Sequence, residues 1–129
     1  MTKGDKFNHN FVVSPQTYSG FIEIFKDKNP LHTDATFATG KGFKGVVMHG
    51  NILNGFLSYF IGELLPNKNV IIQTQAIKYL NPVYLGDEIT LNAEITDIFE
   101  SVGSVEFKFY FAKADQQKVA KGTISIGII

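Results

Sequence analysis

An aspartate and a histidine, Asp27 and His32, stand five residues apart in the segment DKNPLHTD, residues 27–34. In an uninterrupted helix, two side chains at this spacing point about 140° away from each other. Pro30 excludes such a helix, because proline disfavours helical geometry at the preceding residue and has no backbone N–H to donate. The chain must therefore turn, which can bring the carboxylate and the imidazole over one site where they transfer protons near neutral pH. In the alternative interpretation, Asp27 closes a helix and His32 is an ordinary loop residue.

The composition limits the possible classes of protein. The 129 residues are 44% hydrophobic and 19% charged, with 12 basic and 12 acidic side chains and a formal net charge of zero. We expect one globular domain, residues 1–129, without a nucleic-acid partner, because no basic run is available to neutralise phosphates. The absence of cysteine excludes disulfides and thiolate chemistry. No stretch approaches the ~18 apolar residues of a membrane span, and the N-terminus lacks a signal peptide, so we expect a soluble cytoplasmic protein without membrane contact.

Helix start and stop signals occur three times in the first half of the chain. Ser14 is a typical N-cap, Pro15 suits the first helical position, and glycine or proline follows the last apolar residue of each later helix. The predicted helices are one from Ser14 to about Asp27, a short one capped by Thr33 or Asp34 that ends at Gly40, and a long one from Gly50 to about Leu65.

The long helix contains a single charge, so we expect it to be buried on most sides. Four small or polar residues nevertheless recur on it at every fourth position and form a polar stripe along the helix: Gly50, Asn54, Ser58 and Gly62. Buried polar groups need hydrogen-bond partners. A bound ligand, ordered water or a close-packed neighbouring strand could supply them here.

The second half of the chain alternates apolar and polar residues in a pattern typical of strands. The predicted strands are Val70–Leu80, Glu88–Phe99, Ser104–Lys113 and Val119–Ile128. Because short turns join them, they should be antiparallel, with one face buried against the long helix. The sequence therefore predicts an α+β fold, in which a curved antiparallel sheet wraps around one central helix.

The chain resembles a known family through three segments that carry these features. They are DKNPLHTD at 27–34, VMHG at 47–50 opening the long helix that contains Ser58, and KYLNPVYLGD at 78–87. Together they resemble the (R)-specific enoyl-CoA hydratases and MaoC-like dehydratases, which have the hot-dog fold. Tyr79 stands where phenylalanine is more usual in that family. The resemblance implies a single-domain hot-dog enzyme that assembles as a homodimer.

The resemblance also implies an activity, the reversible hydration of a trans-2-enoyl-CoA to the (R)-3-hydroxyacyl-CoA. Asp27 and His32 match the catalytic pair that acts on water, and the backbone N–H of Gly50 matches the donor to the thioester oxygen. Ser58 matches a serine that supports the pair by a hydrogen bond. The substrate is a CoA thioester, and no cofactor or metal is implied. The three histidines are not spaced like a metal site.

The remaining candidate residues are assigned to substrate binding and to the loops around it. Asn29 is expected to shape the loop and orient Asp27, and His49 to hold the loop before Gly50. Asn54, an amide on the polar stripe, is a further candidate for substrate binding. Three apolar residues could line an acyl tunnel: Ile52, Phe56 and Ile61.

Three rival functions stay open at this point. A dehydratase acting on acyl-carrier-protein thioesters would use the same chemistry and would favour a basic rim, for which Lys41, Lys44 and Lys78 are candidates. A thioesterase would need a carboxylate on the long helix, where only Glu63 is available. A protein that binds acyl thioesters without catalysis is the third rival.

Overall fold

The computed structural model describes residues 1–129 and contains five strands and four α-helices. None of the helices has the length and apolar character needed to cross a membrane. In chain order the elements are β1 (Lys6–Val12), α1 (Pro15–Phe25), α2 (Pro30–Thr33), α3 (Ala35–Gly40), α4 (Asn51–Tyr59) with a π-helical continuation (Phe60–Leu64), β2 (Val70–Tyr79), β3 (Glu88–Phe99), β4 (Ser104–Ala112) and β5 (Lys118–Ile128).

The strands form one antiparallel sheet in the order β1-β3-β4-β5-β2. Alternate residues of β3 and β4 are buried, as their apolar alternation predicts. The buried face packs against the long helix. Leu53 and Leu57 of α4 and Phe60 of its continuation belong to the same core as Phe107 and Phe111. The predicted α+β architecture, an antiparallel sheet around a central helix, is therefore observed.

The first strand was not expected, since the alternation from residue 70 onward predicts four strands. Strand β1 pairs with β3, with Lys6 opposite Glu94 and Val12 opposite Glu88. Phe7 packs edge-on against Phe60 of the helix, with ring centroids 5.6 Å apart. The segment KFNHNFV places aromatic or imidazole rings at every second position, and this short alternation was the available signal.

The long helix has the predicted extent, but its last turn is wider than an α-helix. It runs as α4 from Asn51 to Tyr59 and continues as a π-helix to Leu64, with Gly50 at the N-cap. A π-helix has hydrogen bonds five residues apart and therefore more residues in each turn than an α-helix. The π-helical segment ends at Leu64, and Leu65 and Pro66 follow it.

Side-chain caps decide where the shorter helices begin. The Ser14 hydroxyl accepts from the Thr17 N–H at 3.1 Å, and Pro15 is the first residue of α1, as predicted. The Asp34 carboxylate accepts from the Phe37 N–H at 3.1 Å, so Asp34 rather than Thr33 caps α3.

Candidate active site

The turn between α1 and α3 brings Asp27 and His32 together. Lys26 ends α1 with a left-handed backbone, φ 63°. The Asn29 side chain then caps α2 by accepting from the Leu31 N–H at 3.0 Å, while the Asn29 N–H donates to Asp27 Oδ1 at 3.2 Å. As a result, Asp27 Oδ2 lies 4.0 Å from His32 Nε2. A water molecule within about 2.8 Å of both atoms fits this separation, as the predicted pair requires.

The hydrogen bond on the other side of the ring determines the tautomer of His32. His32 Nδ1 lies 2.7 Å from the carbonyl oxygen of Val47, and a carbonyl can only accept, so Nδ1 carries a proton. In the neutral ring Nε2 is then the nitrogen with the free lone pair, and it faces Asp27. The Tyr18 hydroxyl donates to the backbone carbonyl of His32 and so fixes the backbone of the same residue.

His32 lies close to the junction of two short helices. It stands in the last turn of α2, and α3 begins at Ala35 with Asp34 as its N-cap. The Val47 carbonyl sets the tautomer of the ring.

His49 is the buried residue beneath the pair, with 3% of its surface exposed. Its Nε2 lies 2.8 Å from the backbone carbonyl of Asp27 and donates to it. Its ring stacks on the ring of His32, with centroids 4.0 Å apart and planes at 31°. His49 therefore holds the backbone of one member of the pair and the ring of the other, and its Nδ1 has no hydrogen-bond partner in the chain.

Gly50 presents a free backbone donor to the same site. Its N–H makes no hydrogen bond within the chain, as the N-cap position of α4 predicts. A neighbouring ring leaves no room for a side chain at position 50. A Cβ on Gly50 would lie 2.7 Å from Cε1 of Tyr79, so the Tyr79 ring occupies that space.

These groups share a cavity of about 480 Å³, a volume in the range of small-molecule sites. A second groove, of about 780 Å³, lies between α1 and α4 and shares Asp27, Asn51 and Ile52 with the first. The first cavity is lined by Val13, Asp27, Leu31, His32, Phe43, Val47, Met48, His49, Gly50, Asn51, Ile52, Leu53, Tyr79, Leu80, Asn81, Pro82 and Val83.

The apolar candidates separate into two groups. Ile52 lines both cavities and Phe56 lines the second, where its ring stacks on Phe11 with centroids 4.3 Å apart. Ile61 is 3% exposed and belongs to the core, so it lines neither cavity. Only the first two occupy positions that an acyl chain could reach.

Strand β2 provides hydrogen-bond partners for Asn54 of the polar stripe. A neighbouring strand was one of the three predicted sources of such partners, beside a ligand and ordered water. The Asn54 amide donates to the Tyr79 hydroxyl at 3.1 Å, and its oxygen accepts from Gln75. Ser58 and Gly62 are exposed, and the Ser58 hydroxyl makes no hydrogen bond within the chain and lines neither cavity. A supporting role for Ser58 stays a prediction.

Three side chains of the site could reach one metal ion by distance, since Asp27, His32 and His49 offer ligand atoms within 4.8 Å of one another. Two of the four imidazole nitrogens, however, already face the Asp27 and Val47 carbonyls. The other two nitrogens are His32 Nε2, which faces Asp27, and His49 Nδ1, which has no partner in the chain. The expectation that the site holds no metal stays a prediction.

Sequence reasoning missed part of the cavity wall. Met48, Leu80, Asn81 and Val83 line the cavity, and so does Tyr79, which is also hydrogen-bonded to Asn54. All five come from the two segments, 47–50 and 78–87, that the family resemblance rests on. These segments are adjacent in space, since the Met48 N–H donates to the Val83 carbonyl at 2.8 Å.

Comparison with known proteins gives a consistent result. The (R)-specific enoyl-CoA hydratase of Aeromonas caviae is 35% identical over 82 residues, which cover 64% of this chain and 61% of that protein. A mitochondrial 3-hydroxyacyl-acyl-carrier-protein dehydratase of Arabidopsis thaliana is 30% identical over 86 residues, or 67% of this chain and 51% of its own length. The chain thus matches about three fifths or less of these curated relatives.

Structural similarity extends over the whole chain. The solved (R)-hydratase from A. caviae involved in PHA biosynthesis superimposes with a TM-score of 0.91 at 25% identity, covering 100% of this chain and 98% of that one. This match confirms the predicted hot-dog fold. The family model for the MaoC like domain matches residues 2–109. The chain therefore belongs to the MaoC-like domain family.

Proposed function

We propose that this protein is a hydro-lyase that hydrates trans-2-enoyl-CoA reversibly to (R)-3-hydroxyacyl-CoA. One observation carries the proposal: Nε2 of His32 lies 4.0 Å from the Asp27 carboxylate in a cavity that is also lined by Gly50, whose N–H has no partner in the chain. A water-activating pair and an oxyanion donor are the two requirements of addition to an α,β-unsaturated thioester.

In the proposed reaction, water is held between the Asp27 carboxylate and His32 Nε2. The pair removes one proton as the water oxygen bonds to C3, and the C2=C3 electrons move toward the thioester oxygen. The Gly50 N–H stabilises the negative charge that develops there, and the positive end of α4 adds to this effect. The pair then returns a proton to C2, so one water molecule is added in total.

CoA is the preferred carrier in this proposal. A carrier protein would favour a basic rim around the cavity, but Lys41, Lys44 and Lys78 do not line it. The relatives named above include both a CoA hydratase and an acyl-carrier-protein dehydratase, so the alternative substrate is a 3-hydroxyacyl group on a carrier protein. The acyl chain would pass Ile52 toward the groove between α1 and α4.

The thioesterase alternative has little support. Glu63, the acid on the long helix, is exposed in the π-helical segment and lines neither cavity. We further propose that the enzyme needs no cofactor and is a cytoplasmic homodimer. The absence of cysteine is compatible with a reducing compartment, and the edge strand β2 provides a surface for pairing.

The test is loss of the conjugated enoyl-thioester absorbance with crotonyl-CoA, followed by chiral analysis of the product. We expect Asp27→Asn and His32→Gln each to lower kcat by ~10²–10⁴-fold, because each removes one proton-transfer group. Asp34→Asn and His9→Gln are matched controls, since Asp34 caps α3 and His9 lies on β1 outside the cavity.

The controls should keep wild-type rates and all four variants should keep the wild-type thermal midpoint. An inactive wild type that still binds butyryl-CoA would indicate a non-catalytic thioester-binding protein. Turnover of a crotonyl-carrier-protein alone would indicate the dehydratase, and release of free thiol would indicate a thioesterase.

A further inference from the structure

The hydroxyl group of Tyr79 is held in a fixed position at the wall of the cavity. Tyr79 ends β2 and lines the cavity together with Gly50 and the catalytic pair. Its ring lies flush against Gly50, where an added Cβ would be 2.7 Å from Cε1 and 3.0 Å from Cζ. The oxygen bonded to Cζ is therefore close to the residue whose N–H is the proposed oxyanion donor.

Hydrogen bonds of Asn54 determine which role the Tyr79 oxygen can play. The Asn54 amide nitrogen donates to Asn51 Oδ1 at 2.8 Å and to the Tyr79 hydroxyl at 3.1 Å, while Asn54 Oδ1 accepts from Gln75. The Tyr79 oxygen is therefore an acceptor toward Asn54. Its own proton has no acceptor within the chain, so it remains available as a donor.

This network orders more polar groups than packing alone requires. Phenylalanine would fill the space over Gly50 equally well, because the contact uses only ring carbons. Ordering long polar side chains such as Gln75 costs conformational entropy, up to ~2 kcal/mol per side chain. Tyr79 is 46% exposed and lines the cavity, so a ligand can reach its side chain.

We infer that the Tyr79 hydroxyl donates a hydrogen bond to a carbonyl oxygen of the bound thioester, with Asn54 as its positioning residue. The inference rests on the function proposed above and adds a substrate-binding residue to it. Two carbonyl groups of the substrate have the required chemistry: the thioester carbonyl and the nearest amide carbonyl of the pantetheine arm. Both would enter the cavity on the side of Gly50.

The decisive variant is Tyr79→Phe, which keeps the ring against Gly50 and removes only the hydroxyl. The measurements are kcat and KM for crotonyl-CoA and the Kd for butyryl-CoA, a saturated ester that binds without reacting. If the donor serves the thioester oxygen, we expect kcat to fall by ~10²-fold or more with little change in Kd, since charge develops there only in the transition state. If it serves the amide, KM and Kd should rise ~3–10-fold at constant kcat.

Tyr84→Phe is the matched control. Its hydroxyl accepts from the Lys44 N–H at 3.2 Å, and Tyr84 does not line the cavity. Wild-type values of kcat, KM and Kd in Tyr79→Phe, equal to those of the control, would overturn the inference and leave the proposed hydratase intact.

A second variant tests the positioning role. Asn54→Leu should reproduce the split between kcat and KM seen in Tyr79→Phe, and the double variant should lose nothing further, because both changes remove the same hydrogen bond to substrate. Additive losses would show that Asn54 acts independently of Tyr79.

The binding measurement separates this inference from the proposed function. If the wild type binds butyryl-CoA but does not turn over crotonyl-CoA, the hydratase proposal fails, and the role at the thioester oxygen fails with it. A ~3–10-fold rise in the Kd of Tyr79→Phe would then support the role at the amide carbonyl, and an unchanged Kd would overturn the inference. If the wild type neither binds nor converts either ester, both are overturned.

Discussion

At the scale of single residues, the site is organised by backbone carbonyls and not by a chain of charged side chains. The Val47 carbonyl accepts a hydrogen bond from His32 Nδ1, and the Asp27 carbonyl accepts one from His49 Nε2. Each carbonyl selects one tautomer, because a carbonyl oxygen can only accept. The tautomer of His32 in the proposed catalytic pair is therefore a consequence of where residue 47 lies.

His49 is predicted to act on catalysis through Asp27. His49→Phe keeps the stacked ring but cannot donate, which leaves the Asp27 carbonyl without its partner and should lower the free energy of unfolding by ~1–3 kcal/mol. Because the backbone of Asp27 then shifts, we expect kcat for crotonyl-CoA to fall by ~10²-fold with a smaller change in KM. Steady-state kinetics and urea unfolding measure the two effects.

A conservative comparison separates geometry from packing at this position. His49→Gln retains a donor near the position of Nε2 and should recover part of the lost kcat while losing the stacked ring. Equal kcat values in His49→Phe and the wild type would contradict the positioning role.

At the scale of elements, β2 joins the sheet to the site. It pairs with β5 from Val70 to Tyr79, with one register shift between Ile72 and Thr74, and the ring of Tyr79 packs on Gly50, the N-cap of the central helix. Gly122 of β5 allows this close pairing, since a Cβ there would lie 1.9 Å from the Ala76 carbonyl oxygen. Backbone atoms cannot move aside like the end of a flexible side chain.

Gly122→Ala should therefore separate β2 from β5 locally and lower the free energy of unfolding by about 3 kcal/mol. Urea unfolding followed by circular dichroism measures the change. Gly20→Ala is the control, because Gly20 lies in α1 with no atom within 4 Å of an added Cβ. This control should gain ~0.5–1 kcal/mol from the better helix propensity of alanine. Equal stabilities of the two variants would show that the close contact does not limit the sheet.

At the scale of the whole molecule, two edges of the sheet remain unpaired, and β2 is the longer one. Most of β2 is exposed, including the apolar side chains Ile71 (53%) and Ile72 (36%). A long exposed edge with apolar residues is a surface for strand pairing with a second chain. This feature supports the homodimer proposed above.

We predict that light scattering will give about twice the chain mass of 14.3 kDa. Ile71→Lys should convert the dimer to a monomer, because a charge on the edge opposes strand pairing. Val102→Lys is the control: Val102 is 72% exposed in the turn between β3 and β4 and should leave the dimer unchanged. A wild-type monomer at micromolar concentration would contradict the prediction.

The distribution of charge also emerges only at this scale. The twelve lysines and twelve acidic residues are spread along the sequence with no basic run. Strand alternation and register nevertheless gather five lysines and one acid, Glu94, around one groove on the outer face of the sheet. They are Lys6, Lys78, Lys108, Lys118 and Lys121.

The sequence by itself determined the features that depend on near neighbours. The Ser14 cap, the turn at Asn29-Pro30, the alternation of β3 and β4 and the apolar central helix could all be predicted, since each depends on interactions within about four residues or on a simple period. The pairing of Asp27 with His32 belongs to this class, because both lie in one short turn.

Only the tertiary structure decided how distant segments meet. The pairing of β1 with β3, the Val47 carbonyl that sets the tautomer of His32, and the contact between Tyr79 and Gly50 join residues 15 to about 90 positions apart. Such contacts follow from register and packing of the whole core, where a shift of one residue would turn each strand side chain to the other face. Local patterns carry no information about that register, so these parts of the site became visible only in three dimensions.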